Sequence, residues 1–265
     1  MKLAPIKLSS PATKEFWEIE VIHEDEHLLA INKPARLLTS PDRYDPDRPN
    51  LMRLLHDGIT SSKPWARDRG LTYLSNAHRL DFETTGILLL AKSKPVLVQL
   101  ADLFGCEKPQ KTYVALVEGT PPHDHWTMGA AIGPHPHHIG VMRVDSKNGK
   151  ACKTEFTKVE VLGRYTLLSC RPITGRTHQI RVHLQAEGLP ICADRIYGGS
   201  PLLLSSLKPK YVMKDGSVER PLLSTVALHA EKLAFNHPVT GVALEIVAPW
   251  PKDLTVALKY LRRYV

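Results

Sequence analysis

Apolar positions along the chain alternate between strand-like and helix-like spacing, which predicts helices packed on a sheet. Residues 87–91 are an unbroken apolar run, as expected for a buried strand. Residues 96–104 place apolar side chains at i, i+1, i+4, i+7 and i+8, which is typical of an amphipathic helix. Residues 111–118 alternate in the manner of a strand, so Tyr113 can point away from its packed neighbours.

Other segments either show a strand-like or helix-like pattern or lack a regular pattern. Strands are expected at 19–22 and 28–31, two more lie between 154 and 170 around a turn at Gly163, and a helix is expected from about Thr177 to Gly188. Residues up to about 13 predict a loose lead-in. Residues 39–69, with four prolines around a short helical pattern, predict a surface excursion, and residues 201–220, rich in Lys and Ser, predict an insertion.

The charge balance favours a polyanionic partner. The chain has 265 residues, with 35 Lys and Arg against 27 Asp and Glu, a formal net charge of +8. No segment approaches the roughly 20 apolar residues that span a bilayer, so we expect no membrane partner. The first residues lack the long apolar region of a secretory leader, and we expect a cytoplasmic protein.

Cysteine and histidine spacing gives no reason to expect a bound metal or a disulfide framework. The four cysteines are far apart and form no Cys-x-x-Cys pair. Five histidines fall between residues 123 and 138, but prolines interrupt them, and a polar loop is the preferred interpretation over a metal site.

Asp81 is the first candidate for catalysis. It lies two residues after Arg79 and just before a small-residue turn that leads into the apolar run at 87–91, so a rigid element would hold it still. Taken alone, an Arg-x-Asp beside a turn is more often a cap or a surface ion pair.

Three stretches taken together resemble the RluA-type pseudouridine synthases. They are His-Arg-Leu-Asp-Phe-Glu-Thr-Thr-Gly at 78–86, Lys-Thr-Tyr at 111–113 and Gly-Arg-Thr-His-Gln-Ile-Arg-Val-His at 175–183, in the family's order. Shorter stretches at 25–34, 190–198, 228–231 and 237–238 extend the resemblance over about residues 21–249. Thr85 stands where the family usually has Ser, and both supply a small hydroxyl.

The resemblance implies a mixed α/β (α+β) fold with a mostly antiparallel central sheet and a cleft. It implies a single catalytic domain at residues 19–250, with a lead-in at 1–18 and a basic helix or tail at 251–265. The implied activity is isomerisation of a uridine in ribosomal or transfer RNA, without metal or cofactor, by a monomer. The extra RNA-binding module that some members carry ahead of this domain is expected to be absent.

The resemblance also assigns the catalytic residues Asp81, Tyr113 and Arg181. Asp81 would either add to ribose C1′ or take a proton from the sugar, and the sequence does not choose between these routes. Arg181 would pair with Asp81, since a guanidinium fork suits a carboxylate. Tyr113 would stack on the detached uracil near its C5 proton.

Six more residues are expected to contact RNA: His78, Arg79, Leu80, Arg176, His178 and Gln179. The target uridine must leave the base stack before it can react, and Arg79 would fill the space that it leaves. Polar residues at the start of a helix, such as Arg176, His178 and Gln179, are equally often caps.

Two rival functions differ in class from this one. An RNA-binding protein could keep the fold and lose turnover, but Asp81, Tyr113 and Arg181 are all present. A glycoside hydrolase would need two acidic residues flanking the scissile bond, and the matching motifs supply only one.

Overall fold

The computed structural model describes residues 3–42, 45–213 and 216–265. The strands in these residues are β1 (Ile6–Ser10), β2 (Glu15–Ile19), β3 (Val21–Glu24), β4 (Leu28–Lys33), β5 (Ser75–Asn76), β6 (Thr85–Ala91), β7 (Gln110–Glu118), β8 (His125–Met128), β9 (Ile132–Pro134), β10 (Met142–Val144), β11 (Thr154–Leu162), β12 (Tyr165–Pro172), β13 (Leu228–Asn236) and β14 (Ala243–Val247). The helices are α1 (Leu51–Thr60), α2 (Pro64–Arg67), α3 (Lys94–Gly105), α4 (Gln179–Ala186) and α5 (Lys252–Tyr264). Antiparallel pairing joins β1 to β2, β3 to β4, β4 to β6, β5 to β6, β7 to β12, β8 to β11, β9 to β10, β11 to β12 and β13 to β14. This pairing confirms the predicted mixed fold with a mostly antiparallel sheet.

The chain divides into two compact units, each built from two pieces of sequence. The first unit comprises Met1–Gln110 and Ala230–Pro249, and the second comprises Lys111–His229 and Trp250–Val265. The region expected to be one domain, residues 19–250, is therefore distributed over both units. Residues 251–265, expected as a separate helix or tail, belong to the second unit, where they form α5.

In the first unit, β6 is buried along its whole length because both of its faces are covered. Its neighbours in the sheet are β4 and β13. Leu88 and Leu90 face a cluster that includes residues of α1 and α2, whereas Ile87 and Leu89 face a cluster with residues of α3. This alternation explains why β6 reads as a continuous apolar run, since a strand covered on both faces needs apolar residues at every position.

Two expectations for the first unit are wrong. The lead-in is a β1–β2 hairpin, because Ile6 and Leu8 are buried in the cluster that covers one face of β6. The segment 39–69 is not a surface excursion: Leu51, Leu55 and Trp65 belong to the same cluster. In both segments the apolar residues are few, and their helix-like or strand-like pattern covers only a short stretch of sequence. The pattern therefore did not predict that these residues are buried.

In the second unit, β7, β12, β11 and β8 are neighbours in that order. Their core is closed by α5, where Leu254, Ala257, Leu258 and Leu261 form one buried stripe at helical spacing. The expected insertion at 201–220 has no helix or strand in its described residues, but Leu202 and Leu207 anchor it in this core. Among the described residues, no helix has both the length and the apolar character needed to cross a bilayer.

Candidate active site

The loop that carries Asp81 lies in the first unit between β5 and β6, and His78 fixes its beginning. The Nε2 atom of His78 accepts a hydrogen bond from the Leu89 amide at 3.1 Å, and its ring stacks on Phe104 with centroids 5.1 Å apart. Asn76 Nδ2 donates to the His78 carbonyl at 2.9 Å. Because Nε2 is an acceptor, the neutral ring carries its proton on Nδ1. These contacts give His78 a structural role in the loop, and its predicted RNA contact remains a prediction.

Thr39 fixes the residue just before Asp81. Its Oγ1 atom donates to the Leu80 carbonyl at 3.0 Å and accepts from the Leu80 amide at 3.2 Å, so one hydroxyl satisfies both backbone groups. The Leu80 side chain is only 4% exposed. The expected RNA contact of Leu80 is therefore corrected to a loop-shaping role, because a side chain buried to this degree has almost no surface left for a ligand.

Lys33 fixes the residue just after Asp81. Its side chain is fully buried, and Nζ donates to the carbonyls of Pro34, Leu37 and Phe82 at 2.8, 2.7 and 3.4 Å. Burial lowers the pKa of Lys33 to about 7, and the negative charge of Asp81 opposes that decrease. Asp81 therefore lies between two neighbours whose backbone is anchored, and its carboxylate interacts electrostatically with the buried amine of Lys33.

We expect the difference in stability between the wild type and Lys33→Met to depend on pH. In the folded protein the pKa of Lys33 is about 7, against 10.5 in the unfolded chain, so the unfolded state binds the proton more tightly between these values. The wild type should therefore gain stability over the variant as pH rises through this window, approaching about 1.4 kcal/mol per pH unit. Urea unfolding of both proteins at several pH values measures this difference. A difference that stays constant with pH would contradict the lowered pKa.

Gly86, the second residue of β6 after the Asp81 loop, occupies a position that excludes any side chain. Its φ is +109°, and a Cβ built on it would overlap the backbone of Ala230 in the neighbouring strand β13. Thr84 and Thr85, just before it, are buried. The glycine lets the two backbones approach closely where the loop enters β6, so the small-residue turn seen in the sequence has a steric cause.

In the second unit, Arg181 lies on α4 and is buried against a carboxylate that sequence reasoning did not identify. Its Nε atom donates to Asp194 Oδ2 at 2.7 Å, and its Nη2 atom donates to Asp194 Oδ1 at 2.9 Å. The exposed fractions of the two side chains are 5% and 1%. The guanidinium lies over the Tyr197 ring, 4.8 Å from its centroid. The predicted pairing of Arg181 with Asp81 remains a prediction.

The turn before α4 is built around Gln179. Its Oε1 atom accepts from Thr174 Oγ1 at 2.7 Å and from the Arg176 amide at 3.0 Å. Its Nε2 atom donates to the Lys153 carbonyl at 3.0 Å and to Thr154 Oγ1 at 2.9 Å. These four bonds occupy the buried amide, so the structure gives Gln179 a structural role in place of the expected RNA contact.

His178 and Arg176 occupy the same turn with different exposure. His178 has a φ of 55°, and this left-handed conformation makes α4 begin at Gln179, two residues later than expected. Its Nδ1 atom is 2.7 Å from the Tyr197 hydroxyl. Arg176 is exposed, and its Nε atom donates to the Ala151 carbonyl at 3.3 Å. Arg176 thus keeps the exposure that its expected RNA contact requires.

Tyr113 lies on β7, as expected, opposite Cys170 of β12. Its ring is partly buried and packs against the core of the second unit. Nearby on the same strand, Lys111 Nζ donates to the carbonyl of Thr174 at 3.3 Å, at the start of the turn before α4. One hydrogen bond therefore joins the strand of Tyr113 to the turn that precedes Arg181.

The histidine-rich loop of the second unit holds its side chains close to one another at the surface. The rings of His135 and His138 lie 4.5 Å apart, and His135 Nδ1 accepts from the amides of His137 and His138. Within residues 3–42, 45–213 and 216–265, three or more His, Cys, Asp or Glu side chains are nowhere grouped so as to hold a metal ion.

Comparison with known proteins places these elements in one family. The family described as RNA pseudouridylate synthase matches residues 27–186. The ribosomal large subunit pseudouridine synthase D of Xylella fastidiosa is 36% identical over 247 residues, 92% of this chain and 70% of that protein. The ribosomal large subunit pseudouridine synthase C of Salmonella typhi is 34% identical over 244 residues, 91% of this chain and 70% of that protein.

A solved structure of human RNA pseudouridylate synthase domain containing 4 has the same fold. Its TM-score is 0.68 at 23% identity, over 91% of this chain and 92% of that chain. At this identity the likeness concerns the fold alone, whereas the sequence relatives establish the family. The chain belongs to the RNA pseudouridylate synthase family.

Proposed function

We propose that this RNA pseudouridine synthase isomerises a uridine in the ribosomal RNA of the large subunit. The observation that carries the proposal is the similarity, at 36% and 34% identity over more than nine tenths of the chain, to two proteins named ribosomal large subunit pseudouridine synthases. The net charge of +8 suits a polyanionic substrate. Transfer RNA, which the sequence analysis leaves open, is the alternative substrate.

The reaction breaks the bond between uracil N1 and ribose C1′ and forms a bond between C5 and C1′. N1 ends with a proton, and C5 loses one. We propose Asp81 as the carboxylate that starts this exchange, either by adding to C1′ as N1 leaves or by taking a proton from the sugar. The anchoring of Leu80 by Thr39 and of Phe82 by Lys33 supports this assignment, because a carboxylate held on both sides needs little reorganisation to react.

Tyr113 and Arg181 are proposed to serve the same reaction. An aromatic ring can hold the detached uracil by stacking, so that C5 is turned toward C1′ before the new bond forms. A guanidinium stabilises negative charge and fixes a partner's orientation through paired N–H groups. The Arg181 side chain supports this role, since its contacts with Asp194 and Tyr197 already restrict its orientation.

Binding to RNA is proposed to use exposed cations of the second unit. Five lysines of this unit are exposed and are candidates for contacts with the RNA backbone: Lys147, Lys150, Lys153, Lys208 and Lys210. A sixth candidate, Lys214, lies outside the described residues.

Replacing the five exposed lysines by Gln should weaken RNA binding and make the binding constant less dependent on salt, because fewer counterions are released. Titrations at several salt concentrations measure this slope, and an unchanged slope would exclude these lysines from the interface.

Arg79 is proposed to act in a different way from these lysines. It is exposed in the loop beside Asp81. If it fills the gap left by the flipped uridine, Arg79→Ala should slow turnover more on a structured stem-loop than on an unstructured strand with the same uridine. Equal losses on both RNAs would count against this role.

The proposed substrate is tested by mapping pseudouridine across total RNA from cells with and without this protein. We expect one or a few sites in large-subunit ribosomal RNA to lose the modification, and the purified chain to restore it on RNA from the deleted strain. Restoration on transfer RNA alone would select the alternative substrate. Tight RNA binding without product on any RNA would instead select the RNA-binding protein without turnover.

A further inference from the structure

We propose that Asp194 is a positioning residue for the isomerisation, acting through Arg181. This inference rests on the proposed function, because it assigns Arg181 to the reaction. Asp194 has no role in the family motifs from which the catalytic residues were assigned. It lies in the segment 190–198, which resembles the family but contains none of the three residues assigned to catalysis.

The geometry of the pair is side-on. Asp194 binds the edge of the guanidinium formed by Nε and Nη2, through two charge-assisted hydrogen bonds at 2.7 and 2.9 Å. The second edge of the guanidinium, formed by Nη1 and Nη2, is then directed away from Asp194. By fixing the first edge, Asp194 sets the direction in which Arg181 presents the second edge to a reacting group.

The surroundings of Asp194 hold it in place in turn. Its Oδ1 atom also accepts from the Tyr197 amide at 3.3 Å, and the Tyr197 ring lies beneath the guanidinium. The Tyr197 hydroxyl accepts from the Met142 amide at 2.9 Å and lies 2.7 Å from His178 Nδ1. The carboxylate, the ring and the guanidinium therefore form one connected arrangement.

The burial of the pair argues that it does more than add stability. The free-energy cost of removing two charges from water offsets most of the attraction between them, so a buried ion pair adds little to the stability of the fold. Burial of the pair is therefore weak support for a purely stabilising role. The same chain provides a comparison in the Arg262–Glu160 pair, which is also bidentate, at 2.7 to 3.1 Å, but lies at the surface of the same unit. The Arg181–Asp194 pair differs from the Arg262–Glu160 pair in being buried. Burial restricts the orientation of both side chains of the pair.

The test compares Asp194→Asn with the matched surface change Glu160→Gln. We expect Asp194→Asn to lower the single-turnover rate of pseudouridine formation by about 100-fold, the cost of a misplaced group in an active site. RNA affinity should stay near that of the wild type, because Asp194 is buried and cannot touch the backbone of the RNA. Glu160→Gln should change neither quantity.

A double variant separates positioning from general stability. If Asp194 acts through Arg181, then Asp194→Asn should add at most about a threefold loss to a chain that already carries Arg181→Lys, since the two changes remove one shared interaction. Independent losses, in which the full effect of Asp194→Asn persists in the Arg181→Lys background, would overturn the proposal. A merely structural role predicts such independent losses.

Loss of a buried partner can unfold a protein, so rates are compared only for variants whose near-ultraviolet circular dichroism matches the wild type. If Asp194→Asn does not fold, Asp194→Glu decides, because it keeps the charge but displaces the guanidinium by one methylene. A lowered rate with normal RNA affinity supports the proposal, and a wild-type rate in either variant overturns it. A wild-type protein that forms no pseudouridine would overturn the proposed function, and this inference with it.

Discussion

Asp81→Asn is expected to stop pseudouridine formation while leaving RNA affinity nearly unchanged. The change keeps the size of the side chain but removes the carboxylate that would add to C1′ or take a proton from the sugar. We expect the single-turnover rate to fall by at least about a thousandfold, equivalent to about 4 kcal/mol in activation free energy. Quenched reactions on a saturating RNA substrate, with product measured at each time, give this rate, and equilibrium titration gives the affinity.

Glu83→Gln provides a matched control for this prediction. Glu83 lies two residues further along the same loop, is partly exposed and has no assigned role, so the same carboxyl-to-amide change should leave the rate near that of the wild type. If Asp81→Asn retained appreciable activity, the assignment of Asp81 would have to be withdrawn. If Glu83→Gln were equally inactive, the loss would reflect the loop and not one carboxylate.

Arg181→Lys is expected to be far more damaging than its retained charge suggests. A lysine ammonium cannot make the two parallel hydrogen bonds by which Arg181 holds Asp194, and it cannot present a second planar edge. We expect the single-turnover rate to fall by about 100-fold. Because Arg181 is buried, the loss should appear in the chemical step and hardly at all in RNA affinity.

The matched control is Arg262→Lys in the surface pair with Glu160. The same change there also removes a bidentate contact, but exposed ion pairs contribute roughly 0 to 1 kcal/mol, so neither the rate nor the folded state should change measurably. An Arg181→Lys protein with a normal single-turnover rate and weakened RNA binding would show that Arg181 contacts phosphate and not the reacting groups.

The parts of the fold that could be predicted from sequence are those whose cause is local. β6 could be predicted from its continuous apolar run, because both of its faces are buried. α3 could be predicted from its helical apolar spacing, because one stripe of its residues faces the core. The β11–β12 turn was visible because Gly163 has a φ of 60°, which few other residues adopt. The Asp81 loop was located by its resemblance to a family motif, which is also local in sequence.

The parts that could not be predicted depend on partners distant in sequence. Thr39 meets Leu80 across 41 residues, and Lys33 meets Phe82 across 49. Both lie in segments whose spacing gave no hint of such contacts. Asp194 could have been singled out as an acidic residue within a motif-like stretch, but its pairing with Arg181 is a property of the folded chain. Gln179 was misjudged because a polar residue at a helix start reads the same whether its amide is buried or exposed.

The division of each unit into two pieces of sequence has a consequence for biosynthesis. The apolar cluster around α3 is completed by Leu233, Phe235 and Ile246, which the ribosome adds more than a hundred residues after α3 itself. The second unit likewise waits for Leu254 and Leu258 of α5. Neither unit can therefore complete its core as the chain emerges until the second piece of its sequence has been made, unlike a domain built from one continuous piece. A nascent chain paused before Ala230 would leave the apolar surface of α3 unfinished, and this interval is when we expect it to depend most on chaperones.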